Sequence, residues 1–320
     1  MSTQPAIEID GVGRDFAVSK GGAVRALDDV SFSVGAGEVV ALLGANGAGK
    51  TTLTKILATL LLPTRGTARV MGHDVVDAVK AVRGCTGVIL GGDKGLYDRI
   101  SAGENMRFFG MLAGVSSAAL RTRIPQMLEQ VNLADVADRR VETYSKGMRQ
   151  RLQVAIGLLA RPAVLLLDEP TVGLDPVEAG RLRVVIAELR GQGVSVLLTS
   201  HLLLDVELLA DRVVMLESGR IRAQLPVAAF AALAGYAAVV SVTFRGELAP
   251  GAQLPDGAEY ELTELPEGLH RADIRLREWS GGTFGELGGL LGAADVVDIS
   301  VRQPSLDEAF VQLANSGKTQ

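Results

Sequence analysis

A glycine-rich loop at residues 44–51 constrains the fold more than any other feature of the sequence. The loop reads GANGAGKT, fits the pattern G-x-x-x-x-G-K-[ST], and joins the apolar segment GEVVALLG (37–44) to the segment TLTKILATLLL (52–62). The first segment is typical of a buried strand and the second of a helix that stops at Pro63. A strand, such a loop and a helix in this order predict an α/β fold that binds a nucleotide.

The residues of this loop have the chemistry that phosphate binding requires. Its glycines allow backbone conformations and close approaches that a β-carbon would block. The loop N–H groups and the start of the following helix would bind phosphate oxygens, while Lys50 neutralises the β- and γ-phosphates and the Thr51 hydroxyl holds Mg²⁺. The predicted nucleotide contacts in the loop are Gly44, Ala45, Asn46, Gly47, Ala48, Gly49, Lys50, Thr51 and Thr52.

Two adjacent carboxylates end a later apolar strand. VLLLDEPTVGLD (164–175) begins with four apolar residues and then reaches Asp168 and Glu169. A solvated loop is one interpretation of the two acids. In proteins with this phosphate loop, however, the end of a neighbouring strand faces the same phosphates and Mg²⁺. Asp168 would then support the metal, and Glu169 is the candidate base that polarises the attacking water. The divalent cation and Lys50 would offset the repulsion between the two acids.

The order of the remaining elements gives the fold class. Strands are predicted at 164–168 and 194–200 with a helix between them, which implies a parallel sheet with a right-handed crossover. Residues up to about Phe32 read as short strands, and residues from about 98 to 160 as largely helical. A hairpin that turns at Ser218-Gly219 follows.

A domain boundary is predicted after this hairpin. Beyond residue 224 proline and glycine become frequent and the catalytic-looking motifs stop. We therefore expect one domain at 1–224, with an N-terminal antiparallel β subdomain, a parallel-sheet core and a helical subdomain. A small α+β appendage would occupy residues 225–320.

Composition narrows the class of protein. The net charge is −5 and no long run of Lys or Arg occurs, so nucleic acid is not favoured as a partner. Cys85 is the single cysteine, and the N-terminus lacks the pattern of a secretion signal. Residues 223–244 carry no charge and are long enough to span a membrane. Their alanine content, Pro226, Gly235 and a β-branched second half instead favour a short helix followed by a strand, in a cytoplasmic protein.

Three further motifs identify the family that the sequence resembles. YSKGMRQ (144–150) precedes an amphipathic helix that Ser145 is well placed to cap. TVGLDP (171–176) follows the two acids, and Ser200-His201 closes the next strand. With the phosphate loop, these motifs resemble the signature motif, D-loop and switch histidine of ABC-type ATPases. The resemblance implies a P-loop NTPase (RecA-like) core with a helical, signature-bearing insertion, and ATP hydrolysis that depends on Mg²⁺.

The family resemblance also implies roles for residues outside the loop. In ABC ATPases two cassettes enclose two ATP molecules head to tail, so Ser145 and Gly147 would contact the γ-phosphate of the nucleotide held by the partner cassette. Asp175 would lie at the dimer interface, and His201 would contact the γ-phosphate and steady the attacking water. Phe16 matches the aromatic residue that stacks on adenine, with ordinary core packing as the alternative. Two complete motif sets per dimer favour a homodimer.

The sequence departs from the family at one place. Members usually have a glutamine that contacts Mg²⁺ and the attacking water, but here the corresponding stretch reads GVILGGDKGLYDRIS (87–101) and leaves Gly92 at that position. Asp93 could reach the metal through water. The alternative is that Gly92 and Asp93 only shape the turn.

Flanking segments resemble one group within the family. ATLLLPTRGTARVMGHDV (58–75) and VRQPSLDEAFVQLANSG (301–317) are similar to drug-export ABC subunits of the daunorubicin/doxorubicin-resistance type. The resemblance covers residues 6–224 well and the rest loosely. It implies a cytosolic ATPase subunit on the inner face of the membrane, bound to a separate multi-span permease. The appendage would support dimerisation, with regulation or partner contact as the alternative.

Two other functions are weighed against export. Importer cassettes share every catalytic motif, so the chemistry alone does not distinguish the direction of transport. A soluble ABC ATPase acting on ribosomes or DNA is the second alternative. The single phosphate loop, the separation of only about 120 residues between Lys50 and Asp168, and the acidic charge all count against it.

Overall fold

The secondary structure alternates strands and helices along most of the chain. The computed structural model describes residues 4–17, 22–90, 95–246, 254–292 and 294–310. The strands of these residues are β1 Ile7–Ala17, β2 Ala23–Val34, β3 Val39–Leu43, β4 Arg65–Val70, β5 His73–Asp74, β6 Thr86–Ile89, β7 Val164–Asp168, β8 Ser195–Thr199, β9 Arg212–Glu217, β10 Arg220–Pro226, β11 Ala238–Arg245, β12 Glu259–Leu265, β13 Leu269–Leu276 and β14 Asp295–Arg302. The helices are α1 Lys50–Leu57, α2 Val79–Cys85, α3 Ala102–Leu112, α4 Ser117–Gln130, α5 Lys146–Leu158, α6 Pro176–Gly191, α7 Leu203–Leu209, α8 Val227–Ala231 and α9 Gly281–Leu291.

Contacts divide the chain into two compact units. The first ends at Pro226 and the second begins at Val227. The hairpin between β9 and β10 turns at Ser218 and Gly219, whose φ angles of 48° and 80° fit a two-residue turn with two left-handed positions. The strand after this turn continues to Pro226, two residues beyond the predicted boundary at 224.

A six-stranded sheet forms the centre of the first unit. Its order is β10-β9-β3-β8-β7-β6, and all neighbours are parallel except β10. Every residue of β3, β7 and β8 is buried, as expected for parallel strands that are covered on both faces. The carboxyl ends of these three neighbouring strands therefore meet at one edge of the sheet.

Alternate residues of the central strands enter two separate hydrophobic cores. Leu165 and Leu167 of β7 pack in the core that contains α3 to α6. Val164 and Leu166 of the same strand pack in the core that contains α1 and the N-terminal antiparallel sheet. Side chains along a strand alternate between its faces, so one buried strand holds the two layers together.

The N-terminal sheet differs in detail from the prediction of short strands. Its order is β2-β1-β4-β5, and β1 and β2 are 11 and 12 residues long. Their pairing shifts register between Ile9 and Asp15. Such irregularities bend and twist long strands locally. Phe16 lies within β1.

Helix α1 ends five residues before the predicted end at Leu62. Thr59 adopts a left-handed φ of 59°. The N–H groups of Thr59 and Leu60 donate to the carbonyl oxygens of Ile56 (3.0 Å) and Lys55 (2.8 Å). This pattern is a Schellman ending, in which the left-handed residue usually is glycine. Because threonine holds that position, the sequence did not signal the end of the helix before Pro63.

Helices α3, α4 and α5 form the helical part of the first unit, within the predicted range of 98–160. Ser101 and Glu104 form a capping box at the start of α3, which stabilises a helix N-terminus by satisfying free N–H groups. Ser145 accepts a hydrogen bond from the Met148 N–H (3.2 Å) and so caps α5 as expected.

The second unit is a small α+β structure. Its antiparallel sheet has the order β12-β13-β11-β14. Helix α9 contributes Leu287 and Leu290 to a core with Val240, Val242 and Phe244 of β11. The uncharged stretch 223–244 contains the end of β10, the short α8 and most of β11. Among the described residues, no helix is long and apolar enough to cross a membrane.

Candidate functional site

The candidate site lies at the edge where β3, β7 and β8 end. Leu42 of β3 and Asp168 of β7 both pair with Thr199 of β8. The glycine-rich loop leaves β3 immediately afterwards, and α1 begins at Lys50. The two acids and the loop, which are more than 100 residues apart in sequence, are therefore neighbours in the fold.

Close packing explains two of the loop glycines. A β-carbon on Gly44 would lie 2.3 Å from the Leu216 carbonyl oxygen, and one on Gly49 would lie 2.5 Å from the Ala26 carbonyl oxygen. Real β-carbons do not approach so closely, so only glycine fits at either position. The loop backbone consequently lies directly against β9 and β2.

Lys50 points back into the loop. Its side chain is 6% exposed, and its Nζ donates to the carbonyl oxygens of Gly44 (2.6 Å) and Ala45 (3.2 Å). Glu169 Oε1 lies 3.8 Å from the same Nζ. The ammonium group thus contacts both the loop and the candidate base.

Asp168 is held by hydroxyl groups from two other elements. Thr51 Oγ1 donates to its Oδ2 (2.9 Å), and Thr199 Oγ1 donates to its Oδ1 (2.5 Å). The aspartate is 6% exposed and Thr199 is fully buried. A carboxylate in such surroundings keeps a fixed orientation, because hydrogen bonds to a charged group are among the stronger ones in proteins.

Glu169 turns away from the strand. Its φ angle is 54°, a left-handed value that is uncommon for any residue other than glycine. Its N–H donates to both the carbonyl oxygen (3.0 Å) and Oγ1 (3.1 Å) of Thr199. Its Oε2 forms a hydrogen bond with His201 Nδ1. The candidate base and the candidate switch histidine are therefore in direct contact.

Residues of the loop, Glu169 and His201 border one cavity of about 340 Å³. Its lining residues are Ala26, Asn46, Gly47, Gly49, Lys50, Thr51, Thr52, Glu169, Val172 and His201. The loop and the two reactive side chains are brought together as the sequence predicted. The other eight predicted site residues are not among the lining residues: Phe16, Gly44, Ala45, Ala48, Ser145, Gly147, Asp168 and Asp175.

The donor set fits a nucleotide phosphate with Mg²⁺. The loop provides N–H groups and an ammonium group for the phosphates, and Thr51 and Asp168 provide oxygen ligands, which Mg²⁺ prefers. The described residues contain no group of three or more His, Cys, Asp or Glu side chains that could hold a metal alone. Mg²⁺ usually binds through one or two protein ligands together with substrate phosphates.

Comparison with known proteins identifies the family. Residues 27–172 match the family model described as "ABC transporter". The chain is 40% identical over 198 residues to the ABC transporter ATP-binding protein NatA of Bacillus subtilis, which covers 62% of this chain and 80% of that protein. It is 35% identical over 325 residues to the doxorubicin resistance ATP-binding protein DrrA of Mycobacterium tuberculosis, which covers 96% and 93%. The chain belongs to the family of ABC transporter ATP-binding proteins.

Solved structures agree with this assignment. The ATP-binding subunit of an ABC transporter is 29% identical and superimposes with a TM-score of 0.63 over 70% of this chain and 91% of its own length. The dimeric ATP-binding cassette MJ0796, in a post-hydrolysis state with ADP and Pi, shares the fold at 22% identity and a TM-score of 0.63. The predicted family, the P-loop fold and the ATPase activity are thus confirmed.

The signature region of this ABC ATPase packs against the helix that follows the D-loop. A β-carbon on Gly147 would lie 2.7 Å from Glu178 Cγ, so the glycine permits this contact. Glu178 also pairs with the buried Arg151 of α5 at 3.0 Å. Asp175 caps α6 by accepting from the N–H groups of Val177 and Glu178, both at 3.0 Å. The signature helix and the D-loop helix are thereby joined.

The structure describes the predicted adenine contact Phe16 but not the stretch that replaces the family's glutamine. Phe16 is 37% exposed, and the Arg14 guanidinium lies 4.6 Å from its ring centroid. This exposure argues against the alternative of ordinary core packing. Gly92 and Asp93 lie outside the described residues.

Thr199 is a site residue that no sequence motif marked. It hydrogen-bonds to both acids from the end of the strand predicted at 194–200. Its position beside Ser200-His201, at the carboxyl end of a strand parallel to β7, was the available signal.

Proposed function

We propose that this chain is the ATP-hydrolysing subunit of an exporter and uses Mg²⁺-ATP bound at the cavity described above. The observation that carries the proposal is the convergence of Lys50, Thr51, Asp168, Glu169 and His201 at the ends of three parallel strands. Each side chain is held by contacts with other residues of the chain. The fold therefore fixes the positions of these groups relative to one another, as electrostatic catalysis requires.

The residues of the chain divide the chemistry between them. Loop N–H groups and Lys50 would bind the phosphates, so that Lys50 exchanges its loop carbonyl partners for phosphate oxygens. Thr51 and Asp168 would hold Mg²⁺, which neutralises charge on the phosphate oxygens when bound. His201 Nδ1 is hydrogen-bonded to Glu169 Oε2. Oε1 then accepts the proton of the attacking water, and His201 keeps the carboxylate oriented.

The proposal includes a second cassette. Ser145 and Asp175 are exposed at the starts of α5 and α6, whereas Gly147 is buried against Glu178. None of the three lines this chain's own cavity. A head-to-tail partner, a second copy in the simplest case, would bring its own loop to these residues. Phe16 would stack on the adenine.

Export is supported by relatives that match over nearly their whole length. The doxorubicin resistance protein of Mycobacterium tuberculosis and the daunorubicin resistance protein DrrA3 of Streptomyces coeruleorubidus match over 93% and 97% of their lengths. Both matches extend into the second unit. We infer a drug-like or lipid-like substrate that crosses the membrane through a separate multi-span permease, with this subunit on the cytoplasmic face. The ATPase domain would comprise residues 1–224 and the appendage residues 225–320.

The Glu169→Gln variant tests the chemistry. It keeps the shape of the side chain and removes the base, so turnover should fall by roughly 10²- to 10⁴-fold while the Kd for ATP stays within about twofold. Glu188→Gln is the matched control, since Glu188 lies on an exposed face of α6. Wild-type turnover in Glu169→Gln would refute the assigned base.

The same variant tests the transport role. Tagged Glu169→Gln protein is captured in ATP from detergent-solubilised native cells, and the bound proteins are identified by mass spectrometry. A stoichiometric multi-span protein is expected, and a solute-binding protein alongside it would indicate import. Ribosomal or DNA-repair proteins with no membrane protein would contradict transport while leaving the ATPase chemistry intact.

A further inference from the structure

A fully buried carboxylate is bonded to the loops that carry Glu169 and His201. Asp205, on the short helix α7, is 0% exposed. Its Oδ1 accepts from Arg183 Nε of α6 at 2.7 Å, and its Oδ2 accepts from Thr171 Oγ1. Ser200 Oγ lies 3.4 Å from the same Oδ2. A buried charge is costly unless it is paired and hydrogen-bonded, and this one is both.

The partners of Asp205 belong to the two loops that carry the reactive side chains. Thr171 follows Glu169 by two residues, and Ser200 immediately precedes His201. Both are buried, with 2% and 0% exposure. One carboxylate oxygen therefore contacts both loops, close to the point where Glu169 Oε2 meets His201 Nδ1.

Arg183 extends this connection to a third element. It lies on α6, the helix that Asp175 caps and that begins directly after the D-loop. Its side chain is 15% exposed, so the ion pair with Asp205 is largely shielded from water. A pair of this kind holds its geometry because breaking it would leave an unpaired buried charge.

We propose that Asp205 and Arg183 form a positioning clamp that fixes the loop of Glu169 against the loop of His201. This role rests on the proposed functions of Glu169 and His201. Asp205 and Arg183 are not among the residues that line the cavity, and the clamp acts by keeping the base and the histidine in register. ATP binding depends on the phosphate loop, which the clamp does not touch. Loss of the clamp should therefore reduce kcat and leave KM unchanged.

The sharpest test removes one arm of the clamp without creating an unpaired charge. Thr171→Val keeps the side-chain volume, deletes the hydroxyl, and leaves the ion pair between Asp205 and Arg183 in place. Small misplacements of catalytic groups can cost up to about 100-fold in rate, and we expect kcat to fall about tenfold or more with KM for ATP within twofold. Thr171→Ser restores the hydroxyl and should return kcat to within about twofold of wild type.

A second variant tests the negative charge of Asp205, and its control is another carboxylate-to-amide change in an ion pair with arginine. Asp205→Asn removes the charge and should lower kcat more than Thr171→Val does. Glu38 and Arg212 form an ion pair at 2.9 Å at the opposite end of β3, also partly buried. Glu38→Gln should lower the melting temperature without changing kcat. If Asp205→Asn does not fold, the two Thr171 variants decide alone.

The outcomes separate this inference from the proposed function. Wild-type kcat in Thr171→Val, a rise in KM parallel to the fall in kcat, or a Thr171→Ser variant as slow as Thr171→Val would each overturn the clamp. Glu169→Gln is measured in the same assay. If that variant is slow while Thr171→Val is normal, only the clamp fails, and if Glu169→Gln turns over normally, the proposed base fails first.

Discussion

Replacing Thr199 by valine should show how strongly the site depends on one buried hydroxyl group. Valine has nearly the same shape as threonine, so the cavity term is small. The variant loses the hydrogen bond to Asp168 Oδ1 (2.5 Å), between a fully buried donor and an acceptor that is 6% exposed. Hydrogen bonds to charged groups contribute about 1.5–3 kcal/mol to stability. The variant also loses the hydrogen bond from the Glu169 N–H to Thr199 Oγ1. This second loss is minor because the same N–H keeps its bond to the Thr199 carbonyl oxygen. We expect the free energy of unfolding to fall by about 2 kcal/mol.

Thr199→Ser is the matched control for this change. It keeps the hydroxyl and loses one buried methyl group, which costs about 1 kcal/mol. Urea unfolding followed by circular dichroism reports on both units, while the fluorescence of Trp279, the single tryptophan of the chain, reports on the second unit. The fluorescence transition should be the same in all three proteins. If the valine variant is as stable as the serine variant, the hydrogen bond to Asp168 does not carry the energy assigned to it.

The same pair of variants tests the proposed Mg²⁺ site. Removing a side chain that orients a metal ligand typically reduces metal affinity or activity by about 10- to 100-fold. The Mg²⁺ concentration for half-maximal ATPase activity should therefore rise by about tenfold or more in Thr199→Val and remain close to wild type in Thr199→Ser. Equal Mg²⁺ dependence in the two variants would refute the orienting role.

Three further predictions follow from single contacts. Gly44→Ala would place a β-carbon 2.3 Å from the Leu216 carbonyl oxygen, so calorimetric titration should show loss of ATP binding. Gly147→Ala would place a β-carbon 2.7 Å from Glu178 Cγ, which should displace the signature helix; turnover should fall while the Kd for ATP stays unchanged. Pairing with a neighbouring arginine lowers the pKa of Glu308 from 4.5 to about 2. A carboxylate whose pKa is lower in the folded state stabilises that state at pH values above its unfolded-state pKa. The second unit should therefore lose this contribution as the pH falls from 4.5 towards 2. Unfolding followed by tryptophan fluorescence should show that Glu308→Gln abolishes this pH dependence of stability.

Much of the fold was predictable because its signals are local. The apolar runs of β3, β7 and β8 are continuous, as strands covered on both faces require, and the loop glycines stand between a strand and a helix. The end of α1 was not predictable in this way. Threonine at a left-handed position carries no sequence signal, since the position is stabilised by two backbone hydrogen bonds and by contacts of Arg83 with Thr59 Oγ1 (2.7 Å).

The site residues that lie in short sequence motifs were predictable, and those that reach the site through contacts between distant elements were not. Residues 44–52 and the pair Asp168 and Glu169 are short motifs with a known chemistry. Thr199 and Asp205, in contrast, act through hydrogen bonds between the ends of different elements. Their residue types are ordinary at a strand end and in a short helix, and only the parallel register of β7 and β8 brings Thr199 to the two acids.

The backbone at Glu169 explains how two adjacent like charges can have separate roles. In a continuing strand, neighbouring side chains point to opposite faces of the sheet, and the second acid would leave the site. A φ of 54° at Glu169 turns the chain instead, at a cost of about 1–3 kcal/mol for a residue other than glycine. Two hydrogen bonds from its N–H to Thr199 offset this cost. Asp168 then faces Thr51, and Glu169 faces Lys50 and His201. Thr199 thus hydrogen-bonds to both acids, and a variant that releases the turn at Glu169 should disturb both the proposed metal ligand Asp168 and the proposed base Glu169.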